Sequence, residues 1–135
     1  MSMVEVKEKN FMESILTSIK KMLGITEEYE HFDADLIMHI NSVFMILNQL
    51  GVGSSDGFVI SGNDEKWLDF LQDDSRLELV KSYMYLKVKL LFDPPLGSAV
   101  IDSINRLINE FEWRLNVTVD PGDSQGGEIQ NEFTT

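Results

Sequence analysis

Apolar residues recur at helical spacing in two segments of the first half of the chain. The first segment predicts a helix from Phe11 to about Leu23, with Asn10 as its N-cap and Gly24 where it stops. The second predicts a helix from about Asp33 to Leu50, which Gly51 ends. The core stripe of this second helix consists of Leu36, Ile40, Val43, Leu47 and Leu50.

A loop rich in Gly and Ser, residues 51–63, follows the second helix. It contains the short apolar run Phe58-Val59-Ile60, which predicts an edge strand or a hairpin arm. After the loop, a short helix is expected around Glu65 to Leu71, and it would bury Trp67, Leu68 and Leu71.

Two further helices are predicted in the second half. One runs from about Arg76 to Phe92 after a cap at Asp74 or Ser75, and Asp93-Pro94-Pro95 ends it because neither proline can extend a helix. Its two apolar stripes, which predict a central position, are Leu77-Val80-Met84-Val88-Leu91 and Leu79-Tyr83-Leu86-Leu90. The last helix is predicted from about Ser98 to Leu115. Its apolar face holds Val100, Ile101, Ile104, Ile108, Phe111 and Leu115.

The elements together predict an all-α fold, a single small domain of about four to five helices. A short strand-like insertion follows the second helix, and an extended tail follows the last. Residues 1–10 are expected to form an N-terminal arm, residues 11–115 the helical domain, and residues 116–135 an acidic tail without periodicity. With 135 residues, of which 43% are hydrophobic, the chain can bury a core.

The net charge of −12 is unevenly distributed along the chain. Residues 24–80 carry twelve acids against Lys66 and Arg76, whereas residues 81–115 carry five bases and four acids. No basic patch is present for gripping phosphates, so we expect no specific binding to nucleic acid. We expect no membrane span and no secretory signal, because charged residues interrupt every apolar run.

No catalytic, cofactor or metal site is expected. The chain has no cysteine, which excludes thiolate nucleophiles and sulfur-ligated metals. His31, Asp35 and His39 have i, i+4, i+8 spacing, but Asp35 as a helix cap beside solvated histidines is the better interpretation. The acids between Glu27 and Asp35 lack a nucleophile or a phosphate-binding loop, so they indicate a solvated acidic face.

Trp113 lies on the polar side of the last predicted helix, about 180° from Ile104 at ~100° per residue. A large aromatic side chain in that position often marks an interface, so we predict contact with a partner or a sister subunit. The alternative is that the tail folds back and covers Trp113 through Val117 or Val119.

The second predicted helix carries no charged residue from Leu36 through Gln49. Its non-core face holds Met38, Asn41, Ser42, Met45, Asn48 and Gln49. A solvated helix face usually carries charge, so this face predicts contact with another helix or subunit, or burial inside its own domain. Met38 and Met45 are therefore candidate interface residues.

Four segments in this order resemble one protein family. They read ILTSIKKMLG (15–24), FDADLIMHINSVFMILNQLGVG (32–53), LVKSYMYLKVKLLFDPP (79–95) and EFEWRLNV (110–117). The set is similar to the head–tail connector, or head-completion adaptor, family of long-tailed bacteriophages and prophages. The resemblance spans about residues 11–119, and the DPP stop and the terminal EWRLNV are its most specific parts.

The resemblance implies a structural virion protein of the head–tail neck, synthesised in the bacterial cytoplasm. Subunits of that family form a homo-oligomeric ring, commonly a dodecamer, that docks beneath the portal protein and extends the DNA channel. The ring presents a platform to the next stopper or tail-completion protein, and DNA passes through without specific binding. The alternative is an acidic helical binding module, a cytoplasmic regulator of a basic protein.

The tail is expected to be ordered by another chain, either the portal ring or a neighbouring connector subunit. Val117 and Val119 alternate, which predicts an extended strand added to an exposed sheet edge, with Ile129 and Phe133 as later anchors. The acids that would face basic groups on that partner are Asp120, Asp123, Glu128 and Glu132.

Overall fold

The structure is a computed structural model that describes residues 12–72 and 74–119. Within these ranges the chain forms helices and no β-strand, which confirms the predicted all-α class. The helices are α1 (Ile15–Met22), α2 (Asp33–Gln49), α3 (Trp67–Phe70), α4 (Asp74–Phe92) and α5 (Ser98–Val119).

The centre of the fold is α4, which packs on α2 and also on α5. Its fully buried side chains are Leu77, Val80, Tyr83, Met84 and Val88. They come from both predicted stripes, so the expectation that this helix is packed on more than one side is confirmed. Leu91, at the end of the first stripe, is about half exposed.

The first helix begins later than its apolar pattern predicts. Ser14 is the N-cap, and its Oγ accepts a hydrogen bond from the Thr17 backbone N–H at 3.2 Å. Long-range backbone pairing fixes this position. The Ile15 N–H donates to the Glu65 carbonyl at 2.9 Å, and Ser14 forms an isolated antiparallel β-bridge with Lys66. The predicted start at Phe11 is therefore wrong, and the predicted cap Asn10 lies outside the described residues.

Trp67 holds the single-turn helix α3 against α1. The indole is fully buried, and its Nε1–H donates to Ser18 Oγ at 2.8 Å. The Ser18 hydroxyl in turn donates to the Ile15 carbonyl at 3.0 Å, so every polar atom in this contact is satisfied. The expected burial of Trp67 and Leu71 is confirmed, while Leu68 is only partly buried.

The loop after α2 does not form the predicted strand or hairpin arm. The Asn41 side chain instead takes the place of a strand neighbour: its Nδ2–H donates to the Ile60 carbonyl at 3.0 Å, and its Oδ1 accepts from the Ile60 N–H at 2.8 Å. The Phe58 ring packs on those of Phe44 and Phe70, with centroid distances of 5.0 and 5.4 Å. The apolar run is thus an irregular segment held by side chains.

A buried ion pair joins α1 to the start of α2. The Lys20 ammonium is 2.8 Å from an Asp33 carboxylate oxygen and donates to the Glu27 carbonyl at 3.0 Å. Lys20 is 1% exposed, whereas the Asp33 side chain is 20% exposed, so the ammonium is buried and the carboxylate is partly buried. The predicted capping role of Asp35 is wrong, because Phe32 is the N-cap and Asp35 lies inside the first turn.

The last helix continues four residues beyond its predicted end, to Val119. Val117 and Val119 are helical, so the prediction that they add as an extended strand is wrong. The Tyr83 hydroxyl donates to the Glu112 carboxylate at 2.8 Å and ties this half of α5 to α4. Burial and the adjacent Glu112 carboxylate both raise the pKa of Tyr83. The predicted tail contacts at 120–135 lie outside the described residues.

Candidate interaction surfaces

The uncharged face of α2 lies on the surface of the subunit. Met38 and Met45 are 61% and 62% exposed, and Ser42 and Gln49 are also exposed. The alternative that this face is buried within its own domain is therefore wrong for both methionines. Exposed, unbranched methionine side chains adapt well to a partner surface, so the predicted contact through this face stays a prediction.

A pocket of about 270 Å³ lies beside Met45, between α2 and the loop that follows it. We call it the α2–loop pocket, and its main lining residues are Phe44, Met45, Asn48, Asp56, Phe58 and Val59. The walls are apolar and aromatic, while Asn48 and Asp56 supply hydrogen-bond acceptors. Val59 is 67% exposed. This pocket was not predicted, because its shape depends on the long-range pairing between Asn41 and Ile60.

Trp113 projects from the outer face of α5. It is 68% exposed, and Val117, one turn further on, is 48% exposed. Val117 lies on the same helix and leaves the indole mostly exposed, so the alternative that Val117 covers Trp113 is wrong. The rest of the tail, on which that alternative also depends, lies outside the described residues. On either side of Trp113, Glu112 and Leu115 face inward, Glu112 toward Tyr83 and Leu115 into the core. These two contacts fix the outward direction of the indole.

A second apolar groove, of about 470 Å³, runs between α4 and α5 beside the end of α1. Its lining carries no charged side chain and consists of Met22, Ser82, Tyr85, Leu86, Leu107 and Phe111. Met22 and Leu107 are about 40% exposed, so the groove is open. Helical spacing alone assigned Phe111 to the apolar face of the last helix, which is why this surface was not predicted.

Neither a metal-binding cluster nor a membrane-spanning helix is found in the part of the chain that the structure describes. Within residues 12–72 and 74–119, no three His, Asp or Glu side chains converge in a way that could hold a metal ion. The His31 ring packs against the Phe32 ring at a centroid distance of 5.0 Å. In the same ranges, no helix combines the length and the apolar character needed to cross a bilayer.

Comparison with curated proteins and with solved structures finds no match. A family model described as "Phage connector protein" matches residues 15–122. The matched region starts at the first residue of α1 and extends beyond the end of α5, so it contains the packed helices and all the surfaces described above. The resemblance drawn from the sequence is confirmed: the chain belongs to the phage connector protein family, whose role in the virion is structural.

Proposed function

We propose that this connector is a ring-forming subunit that docks beneath the portal, extends the DNA channel and carries the next stopper or tail-completion protein. The observation that supports it is the presence of separate exposed apolar surfaces on α2 and α5, the two helices that pack on α4. A subunit with two different adhesive surfaces makes head-to-tail contacts, and such contacts close into rings when the rotation permits.

The proposed subunit contacts use the residues that stand exposed on these helices. They are Met38 and Met45 on α2 and Trp113 and Val117 on α5. Val119, the last residue of α5, is included in the proposed contact for its place in the sequence. Large apolar side chains that are isolated among polar neighbours are typical of contact sites. In the proposed ring they are covered by the adjacent subunit or by the portal.

The proposed channel passes DNA without holding it. The chain has 23 acidic and 11 basic residues, and the excess acid is concentrated in residues 24–80. A wall with net negative charge repels phosphates, so duplex DNA slides past instead of binding.

The tail is proposed to dock on the portal or on a neighbouring subunit. Its acids, Asp120, Asp123, Glu128 and Glu132, would face basic groups there, and Ile129 and Phe133 would be apolar anchors. The residues of this proposed contact lie in 120–135, directly after the end of α5 at Val119.

The test mixes the purified full chain with phage heads that carry a portal and with heads that lack one, followed by sedimentation and electron microscopy. We expect rings attached only to portal-bearing heads. Met38→Glu should weaken this attachment, because it places a charge in an apolar contact. Tyr29→Glu is the matched control, since Tyr29 is 49% exposed and lies outside the α2 face.

A chain that stays monomeric, ignores heads and binds polylysine in a salt-sensitive manner would contradict the proposal. That outcome would identify the acidic binding module instead. Equal loss of attachment with Met38→Glu and Tyr29→Glu would contradict the role of the α2 face alone.

A further inference from the structure

We propose that Trp113 of one subunit inserts into the α2–loop pocket of the neighbouring subunit. The inference rests on the proposed ring, and it names the contact that joins adjacent copies. Trp113 and the pocket belong to different parts of the fold. Trp113 projects from α5, whereas the pocket is built by α2 and residues 56–59. The pocket lining includes no residue of α5, so Trp113 and the pocket of the same chain are separate surfaces.

The pocket has the size that an indole requires. Its volume is about 270 Å³. A cavity of about 150 Å³ holds benzene, so this one has room for the larger two-ring side chain. In the free subunit, the Trp113 side chain is 68% exposed, so most of its surface is available for burial on association.

The pocket also has the chemistry that an indole requires. The partly exposed Phe58 ring offers aromatic contact at the pocket wall, and the exposed Met45 thioether packs well against an aromatic ring. Phe44 is buried and forms the base of the pocket. An indole also carries one N–H donor that needs an acceptor when it is buried. Asn48 and Asp56 place amide and carboxylate oxygens in the lining for that purpose. Few other side chains would use both the apolar walls and the acceptors.

Charge favours this pairing over contact between like surfaces. The pocket lies in the acidic part of the chain, residues 24–80, which carries twelve acids against two bases. Trp113 lies in residues 81–115, where five bases oppose four acids. Its own helix carries Arg106 and Arg114 against Asp102, Glu110 and Glu112, so it is close to neutral and far less acidic than residues 24–80. Two copies that each carry a net charge of −12 repel one another, so contact is least costly where the least acidic surface meets the acidic one.

The contact is heterologous, since one surface on α5 meets a different surface on α2. Such a contact leaves a free pocket at one end and a free tryptophan at the other end of every pair. Assembly therefore continues until the ring closes. A two-fold contact would use both surfaces in a single dimer and stop there.

Cysteine pairing tests the contact directly, because the chain contains no native cysteine. Asn116→Cys places a thiol one turn from Trp113 and leaves the indole in place, and Val59→Cys places one in the pocket lining. The two variants are mixed in full-length form and treated with a short bis-maleimide, both in solution and on portal-bearing heads. We expect a mixed cross-linked dimer, little product from either variant alone, and a ladder from the double variant.

Trp113→Ala in the Asn116→Cys background is the decisive control. It should abolish the cross-link and weaken subunit association by about 30-fold or more, as expected for a buried aromatic anchor. Leu96→Ala, at a fully exposed apolar residue outside the contact, should change association by less than about threefold. Trp67 is already buried, so the blue shift of tryptophan emission on assembly should vanish in Trp113→Phe.

Self-linked dimers of either single variant, or a cross-link that survives Trp113→Ala, would overturn this contact. If rings still form on portal-bearing heads in that case, the proposed function stands. A chain that neither self-associates nor attaches to portal-bearing heads would overturn both. A mixed cross-link that depends on Trp113 would establish the contact.

Discussion

At Gly53, one added methyl group should damage the fold. Its φ of +88° lies in the region that disfavours side chains, and a Cβ built there would be 2.6 Å from Cε1 of Phe70. That ring belongs to the aromatic cluster with Phe44 and Phe58, so it has little room to move. Gly57 has nearly the same φ, +87°, and a Cβ there meets no atom within 4 Å.

The two glycines therefore separate the backbone cost from the packing cost. Alanine at positive φ costs about 1–2 kcal/mol, and the lower entropy of the unfolded chain returns about 0.4–1 kcal/mol of it. We expect Gly57→Ala to lower the free energy of unfolding by about 1 kcal/mol. Gly53→Ala should lose a further 1–3 kcal/mol, roughly, because the Phe70 ring must leave its packed position.

Urea unfolding followed by circular dichroism measures both variants, with the m-value checked for constancy. In a thermal scan, each kcal/mol of difference should appear as about 4–8 °C in Tm. Phe70→Ala provides the double-mutant cycle, since without the ring the Gly53→Ala penalty should fall to that of Gly57→Ala. Equal destabilisation of Gly53→Ala and Gly57→Ala would refute the packing argument.

Four contacts and charges of the subunit carry further predictions. Lys20→Met should lower the free energy of unfolding by about 1–3 kcal/mol, because it leaves the partly buried Asp33 carboxylate unpaired. Lys21→Met, at an exposed pair, should cost less than about 1 kcal/mol, and equal losses in urea unfolding would contradict this. The raised pKa of Tyr83 means that its contribution to stability is complete below the unfolded value near pH 10 and is lost above it. Tyr83→Phe should therefore lose about 1–3 kcal/mol at neutral pH and show a shallower alkaline decline, measured by unfolding at several pH values. Truncation before Asp120 should leave the circular dichroism spectrum and Tm unchanged but abolish attachment to portal-bearing heads, and unimpaired attachment would refute the proposed role of the tail. Duplex DNA should show no shift in a gel assay at ~0.15 M salt, and sub-micromolar binding there would contradict the proposed channel wall.

Helical periodicity predicted the existence and order of the helices, but two of their ends depended on other information. Both Asn10 and Ser14 are suitable N-caps by residue type, and the choice of Ser14 follows from pairing with residues 65 and 66, about fifty positions away. At the other end, Leu115 is the last residue of the apolar stripe, yet the helix continues to Val119. Between Ser98 and Pro121 there is no glycine or proline, so the sequence does contain the stop signal that the stripe alone did not show.

The candidate surfaces were predictable only where one helix forms them. Helical geometry alone placed Met38, Met45 and Trp113 on non-core faces, and all three are exposed. The α2–loop pocket was not predictable in this way, because the amide of Asn41 and the backbone of Ile60 lie nineteen residues apart. A side chain that pairs with an irregular segment leaves no periodic pattern in the sequence.

The pairing between Asn41 and Ile60 also determines how the loop can move. Two hydrogen bonds from a single amide hold the segment, while the helix behind it has its own backbone bonds. Apolar burial holds the segment as well, because Ile60 is 2% exposed and the Phe58 ring packs on Phe44 and Phe70. The Ile60 N–H nevertheless depends on that one amide as its acceptor. Amide hydrogen exchange at Ile60 should then be faster than exchange in the middle of α4, and Asn41→Ala should accelerate it without lowering the protection of the core. Asn41→Ala would also change the wall of the α2–loop pocket that residues 56–59 form, so the shape of that pocket depends on one amide side chain.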